Sequence, residues 1–187
     1  TGHTGLICLL GSPCAHSVSP MMHNASFEAL GLDYRYLAFD VNEKTLPTAV
    51  AGLKVLGARG FNLTMPDKNL MVSLCDELST AARIIGAVNT VVNENGRLVG
   101  HNTDGIGYMQ SVKDAGYDII GKKMTLLGAG GAATAILVQA ALDGLKEIAV
   151  FVRPTSRFYD RLVHTVDELT EITDCRIRIC DFSDADL

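Results

Sequence analysis

Residues 124–142, MTLLGAGGAATAILVQAAL, run for 19 positions without a charged side chain, and the fold depends on how that run is divided. Taken whole, it has the length and apolarity of a membrane span. The glycines at its centre, the flanking turns and a change of apolar spacing argue instead for a buried strand, a glycine turn and a buried helix. The turn GAGGAA (128–133) has the form GxGxxA. Gly128 permits a tight turn, Gly130 lets backbone approach a pyrophosphate, Ala133 allows close helix packing, and unpaired N–H groups at the helix start face the anion. Gly128, Ala129, Gly130, Gly131, Ala132 and Ala133 are therefore the candidate dinucleotide-binding residues; a plain tight turn is the alternative for the motif in isolation.

The next predicted strand, EIAVFV (147–152), leads into RPTSR (153–157). An NAD site places an acidic residue here to accept from the ribose 2′-hydroxyl, and none occurs between 148 and 159. Arg153 and Arg157, with the hydroxyls of Thr155 and Ser156, suit a 2′-phosphate instead, because a guanidinium pairs with phosphate through two charged hydrogen bonds. NADP is favoured over NAD on that ground, against the plainer reading of two solvated surface arginines.

Toward the N-terminus, the β-type runs GLICLL (5–10), YRYLAFDV (34–41), GFNLT (60–64) and AVNTVVN (87–93) alternate with helical stretches near 20–31, 44–57 and 67–85. NENG (93–96) is a hairpin-type turn into RLVG. Such βαβα order implies a mostly parallel sheet with helices on both faces. A helix near 105–116 occupies a connector, and a second unit starts near Lys122. It has a strand, a helix over 132–143, the strand 147–152, a helix over 157–170 and a strand within CRIRICDF (175–182). The predicted architecture is α/β in two domains. Residues 1–103 form an α/β substrate-binding and catalytic domain, and 104–187 a hinge helix with the first part of a Rossmann-type dinucleotide-binding domain. DFSDADL (181–187) reads as a strand leaving for a new helix with Ser183 as its cap. A doubly wound nucleotide fold has two βαβαβ halves and barely one is present, so the chain is expected to be a piece of a longer protein.

The 187 residues are 48% hydrophobic and 20% charged, with a net charge of −5, an ordinary globular composition that argues against disorder. No Lys/Arg cluster supplies the electrostatic footprint that a polyphosphate backbone needs, so no nucleic acid partner is expected; a small anion needs only local positive charge. Five scattered cysteines, Cys8, Cys14, Cys75, Cys175 and Cys180, lack a CxxC spacing and read as reduced thiols rather than a disulfide or metal framework. With no signal-peptide pattern at the start and no membrane span, the expected location is the cytoplasm.

Polar residues gather in four places. HSVSP (16–20), NLTMPDK (62–68), GAVNT (86–90) and HNTDGIG (101–107) fall at the carboxyl ends of predicted strands or in the loops beyond, the edge where open α/β sheets collect their ligands. Ser17, Ser19, Asn62, Thr64, Lys68, Asn89, Thr103 and Asp104 would converge there. Hydroxyls, amides, one ammonium and one carboxylate suit a small polyhydroxylated carboxylic acid. Singly, each residue has a structural reading, and Ser19-Pro20 before an apolar helix is a sound capping signal; the set of four loops is what points to a site.

These motifs, in this order and followed by GxGxxA, resemble the shikimate dehydrogenase family over the whole chain, and LLGAGGAATA, GLKEI and TDC are similar to its quinate/shikimate branch. The resemblance implies NAD(P)-dependent oxidation of the 3-hydroxyl of shikimate or quinate, using a lysine and an aspartate across a domain cleft. By motif these are Lys68 and Asp104, with Ser17, Ser19, Thr64, Asn89 and Thr103 contacting substrate; a homodimer is left open as the assembly. The chain departs from the pattern at Asp67, where the family more often has an aromatic residue, His or Asn. It departs again at VRPTSR, which matches neither the arginine-threonine clamp of NADP members nor the acidic residue of NAD members. The family's C-terminal third, with a substrate-binding glutamine and part of the nicotinamide pocket, is missing from this sequence.

Removing hydride from a secondary alcohol leaves a carbonyl only if the hydroxyl proton leaves too, so such a site needs a proton acceptor within hydrogen-bond reach. Lys68 can take the proton, or can stabilise oxyanion charge while Asp104 orients the hydroxyl and relays the proton. Two rival readings stand beside this one. A methylenetetrahydrofolate-dehydrogenase-like enzyme would carry its lysine in a tyrosine-x-x-x-lysine spacing, which does not lead to Lys68. A catalytically idle paralogue that binds a cyclic polyol acid would have no need of a proton-transfer pair.

Overall fold

The computed structural model describes residues 1–184, which divide into two compact units, Thr1–His101 and the residues from Asn102 onward. In the first unit β1 (Gly5–Gly11), α1 (Ser19–Ala29), β2 (Tyr34–Asp40), α2 (Leu46–Val55) and β3 (Gly60–Leu63) alternate. A 3-10 helix (Leu70–Leu74), β4 (Glu77–Leu78), α3 (Thr80–Ile85), β5 (Thr90–Glu94) and β6 (Arg97–His101) follow. One six-stranded sheet runs in the order β2-β1-β3-β5-β6-β4. Successive residues of β1 point to opposite faces, and both faces are covered. Cys8 and Leu10 join Leu46, Phe61, Met71 and Val91 in the larger core, while Leu9 packs with Cys14 and Tyr36 on the other side. Leu46, Val50 and Leu53 of α2 are buried, the stripe of a helix that offers one face to a core.

Several expectations for this unit change. The sheet is mixed: β1, β2 and β3 are parallel, but β5 runs antiparallel to β3, and β6 antiparallel to β5. The Asn95-Gly96 loop that joins β5 to β6 has both residues at positive φ, 55° and 95°, the twist a two-residue hairpin needs. The helix expected over 67–85 is instead the 3-10 helix, β4 and α3, because β6 captures the chain and makes β4 the edge strand of the sheet. Asp76 N–H donates to Leu98 O (2.9 Å), Leu98 N–H to the Asp76 carboxylate (2.7 Å), and Ser79 N–H to Gly100 O (2.9 Å). α3 starts at its own cap, Ser79 Oγ accepting from Ala82 N–H, and ends on Gly86 in the left-handed region. At α1, Ser19 is the first helical residue rather than the cap; Ser17 Oγ accepts its N–H at 3.2 Å.

In the second unit α4 (Asp104–Asp114), β7 (Lys123–Leu127), α5 (Gly131–Leu142), β8 (Glu147–Phe151), α6 (Tyr159–Ile172) and β9 (Arg176–Cys180) build a parallel sheet in the order β7-β8-β9. The uncharged run thus divides at its glycines. No helix among the described residues is long and apolar enough to cross a membrane. α5 buries Ala135, Leu137, Val138, Ala140 and Ala141, and α4 lies close against it: a Cβ at Gly105 would collide with Ala135 O. α6 begins at Tyr159 rather than 157, because Ser156 first closes a turn, its carbonyl accepting from Tyr159 N–H and its hydroxyl from Phe158 N–H. Beyond β9, Ser183 N–H donates to Asp181 Oδ1 (3.0 Å) in a short 3-10 helix (Phe182–Asp184). The acceptor there is Asp181, and the helix expected after Ser183 lies outside the described residues.

Candidate functional site

Strand direction places three of the four polar loops on one edge of the first sheet. β1 and β3 are parallel and end together, and β5, running the other way, begins where they end. Asn89 thus reaches this edge at the amino end of a strand, a reversal that the sequence pattern did not show. The loops are then bonded to one another. Thr64 N–H donates to Leu10 O (2.9 Å), Ser12 N–H to Met65 O (3.1 Å), Leu63 N–H to Asn89 O (2.9 Å) and Val88 N–H to Lys68 O (2.8 Å); Asn69 Nδ2 adds a bond to Gly86 O (3.3 Å). Gly11 is required where β1 leaves the sheet, since a Cβ there would collide with Thr64 Cγ2. Half-buried Lys68 is therefore fixed through its own carbonyl to the loop that carries Asn89. Ser17 and Ser19, also half-buried, follow on the loop from β1 into α1.

Behind this edge lies a polar chain that sequence reading saw only in part. Asn62 sits within β3 and its amide is occupied inside the sheet: Oδ1 accepts from Tyr36 OH (2.8 Å), and Nδ2 donates to Asn89 O (3.2 Å) and Thr90 Oγ1 (3.0 Å). Thr90 donates in turn to Asn89 Oδ1 (3.0 Å). Tyr36 is 1% exposed, and burial raises its phenol above the ordinary tyrosine value. Asn24 brackets the Tyr36 backbone, accepting its N–H (2.8 Å) and donating to its carbonyl (2.9 Å). The available signal was a tyrosine in an apolar strand, whose buried hydroxyl needs a partner.

Asp67, next to Lys68 in sequence, is buried at 0% exposure, and neither carboxylate oxygen has a hydrogen-bond partner among the described residues. Burial, reinforced by the Glu43 carboxylate, raises its pKa above the ordinary value. Its backbone closes the turn, with Asp67 N–H donating to Thr64 O and its own carbonyl accepting from Met71 N–H, each at 3.1 Å. Burial pushes the Cys8 thiol up to about 12 and the Cys75 thiol up to about 11, away from the thiolate that a nucleophile needs.

The fourth loop opens the second unit. Thr103 and Asp104 are exposed at the start of α4. Asn102, 3% exposed, accepts the Asp104 N–H on its Oδ1 (3.1 Å), an Asx turn that aims the first turn of the helix. Sequence reading passed over Asn102, although Asn-x-Asp at a helix start is the signal for it. In the same unit Gly128 turns the chain after β7 at φ +95°, and its N–H donates to Phe151 O (2.8 Å). Apart from the neighbouring backbone, no atom of the described residues lies within 4 Å of where a Cβ on Gly130 or Gly131 would stand, so packing against the rest of the protein does not require those glycines. A cavity of about 570 Å³ opens here, lined by Gly128, Ala129, Gly130, Arg153, Ser156 and Phe158 among others. The N–H groups of Gly131, Ala132 and Ala133 in the first turn of α5, the open space over the glycines and a nearby guanidinium fit a dinucleotide phosphate. Thr155 lies outside that lining, and the Arg157 guanidinium stands 4.7 Å over the Phe158 ring. Among the described residues no group of three or more His, Cys, Asp or Glu side chains is gathered for a metal ion.

The chain is similar to known proteins along its length. The model of the shikimate dehydrogenase substrate-binding domain matches residues 9–91. A shikimate dehydrogenase (NADP(+)) of Listeria monocytogenes serotype 4b is 54% identical over 184 residues, 98% of this chain and 63% of that protein. A crystal structure of Listeria monocytogenes shikimate 5-dehydrogenase in complex with shikimate and NAD superposes with a TM-score of 0.94 at 54% identity, again over 98% of this chain and 63% of that one. The Thermus thermophilus enzyme, in complex with NADP(H) and shikimate, gives a TM-score of 0.77 at 32% identity over 95% of this chain and 68% of that one. The chain thus spans under two thirds of the length of the curated Listeria relative.

Proposed function

This chain belongs to the shikimate dehydrogenase family, and from that premise we propose that its units supply the ring-acid site and the first part of the nucleotide site of an NADP-linked dehydrogenase. The reaction is the interconversion of shikimate and its 3-dehydro acid. Residues 1–103 hold the acid, and 104–187 supply a hinge helix and the dinucleotide turn. The observation that supports this most is the bond from Val88 N–H to Lys68 O (2.8 Å), which ties the backbone of Lys68 to the loop that carries Asn89. Ser17, Ser19, Thr64, Asn89 and Thr103 are the polar groups assigned to ring hydroxyls and carboxylate.

NADP, when bound, accepts hydride from the alcohol carbon. Lys68 takes the hydroxyl proton or stabilises the developing oxyanion, and Asp104 is the carboxylate assigned to orient the hydroxyl. The backbone from Gly128 to Ala133 would hold the pyrophosphate, and Arg153 and Ser156, which line the same cavity, would hold the 2′-phosphate, with Thr155 and Arg157 as the further candidates. The five free thiols suit a reducing compartment such as the cytoplasm.

The test is a set of kcat/KM values for shikimate and quinate with each nucleotide, measured on the full-length protein. Shikimate with NADP is expected to give the largest value. A larger value for quinate would move the substrate within the family. Binding of either acid without turnover would defeat the enzyme reading in favour of an idle binder.

A further inference from the structure

None of the residues of α1 is fully buried, and its half-buried ones, Ser19, Pro20, His23, Asn24 and Phe27, recur on one helical face. Directed contacts, rather than a sealed apolar stripe, therefore set where this helix lies on its sheet. The firmest is at Asn24. The Tyr36 N–H can only donate and the Tyr36 carbonyl can only accept, so the Asn24 amide sits one way round, Oδ1 accepting at 2.8 Å and Nδ2 donating at 2.9 Å. His23 stacks on the ring of the same tyrosine, with 4.4 Å between centroids and 19° between planes. Upstream, Cys14 is buried against Tyr36, and its carbonyl accepts the Ser17 N–H at 2.9 Å. Ser17 and Ser19, joined by the bond from Ser19 N–H to Ser17 Oγ, thus span the gap between two anchors on one buried residue, Cys14 before them and Asn24 after.

We propose that Asn24 is a positioning residue for substrate recognition: by fixing α1 on the Tyr36 backbone, it sets where Ser17 and Ser19 stand at the sheet edge. This rests on the reading that the two serines meet the ring acid. Asn24 acts through the helix into which both serines lead, and not on the substrate. A hydroxyl bond weakens steeply with distance and angle, so a small slide of α1 along β2 costs affinity. The same slide leaves Lys68 in place, because its backbone is tied to Val88 on the other side of the edge. Loss of Asn24 is therefore a loss in binding and not in turnover.

The experiment uses Asn24→Ala, His23→Ala and the pair Ser17→Ala with Ser19→Ala, and each of the first two combined with that pair. All are made in the full-length protein and measured at a temperature where circular dichroism shows the variants folded. Asn24→Ala is expected to raise the KM for shikimate about tenfold, the worth of one to two hydrogen bonds, with kcat within about twofold and NADP affinity unchanged. His23→Ala, which removes the stack alone, should raise KM about threefold, and it decides the question by the same readings if Asn24→Ala does not fold. Once both serines are alanine, neither substitution should add anything. An unchanged KM in the folded variant, or losses that multiply in the combined ones, would overturn the positioning role while leaving the ring-acid site standing. If the serine pair by itself leaves KM unchanged, the assignment of the serines to the substrate is what fails, and the positioning role falls with it.

Discussion

The edge of the first sheet and the β7–α5 turn are both suited to an anionic small molecule, and they are built by different means. At the sheet edge polar side chains are bonded to one another, Tyr36 to Asn62, Asn62 to Thr90 and Thr90 to Asn89. At the turn the groups are backbone N–H donors aimed by the helix itself, and the glycines serve by carrying no side chain into the space above. The difference shows how each is damaged. The first fails when one polar atom is removed, the second when one carbon is added.

The largest effect expected from this contrast is at Lys68. Lys68→Ala should lower kcat by about a thousandfold while the KM for shikimate moves only a few-fold; steady-state kinetics that showed equal losses in both would place Lys68 in binding rather than proton transfer. Two glycine substitutions sharpen the comparison within the second unit. Gly130→Ala adds a Cβ that, its chain neighbours aside, has no described protein atom within 4 Å, so melting should be nearly unchanged while NADP affinity falls about 10- to 100-fold, the worth of one charge-assisted hydrogen bond. Gly105→Ala drives a methyl into Ala135 O and to within 2.6 Å of Gln139 Cβ, and should cost about 1–3 kcal/mol of stability by denaturant titration.

A smaller effect separates the two arginines. Arg153 lines the cavity beside the glycine turn whereas Arg157 is held over Phe158. Arg153→Ala should therefore weaken NADP about tenfold and leave NAD nearly unchanged, with Arg157→Ala closer to neutral; nucleotide titrations that reversed this order would move the 2′-phosphate contact to Arg157. The smallest concerns Asp67. Its folded pKa lies above the ordinary carboxylate value, so the protonated form is favoured in the fold. Stability from this group is present below the ordinary value and is lost as pH rises through the raised one. Asp67→Asn should flatten that loss and gain about 1 kcal/mol at neutral pH, read as melting temperature against pH in the two proteins.

Much of this was legible beforehand because it rests on local chemistry. NENG predicted the hairpin, since Asn95 and Gly96 tolerate positive φ, and GAGGAA divided an uncharged run that hydropathy alone would have left whole. The stretch over 67–85 was misread because its helical pattern is broken from outside: Asp76 and Ser79 bond to the edge of β6, about 20 residues away in the chain. Asn62 was expected at the ligand, yet its amide is occupied by Tyr36, 26 residues upstream, and by Asn89 and Thr90, 27 and 28 residues downstream. Thr90 carried no pattern that marked it without its partners.

By itself the sequence determined the alternation of strands and helices, the glycine turn at 128–133 and the residue types, Lys68 and Asp104 among them, on which the proposed site is built. These depend on periodicity, turn geometry and functional groups, all properties of neighbours in the chain. Only the tertiary structure decided that β5 runs backward, which brings Asn89 to the edge where β1 and β3 end, and which end of each amide faces which partner. Strand direction and hydrogen-bond polarity depend on groups that meet only after the chain has folded, because a donor has no fixed orientation until its acceptor arrives.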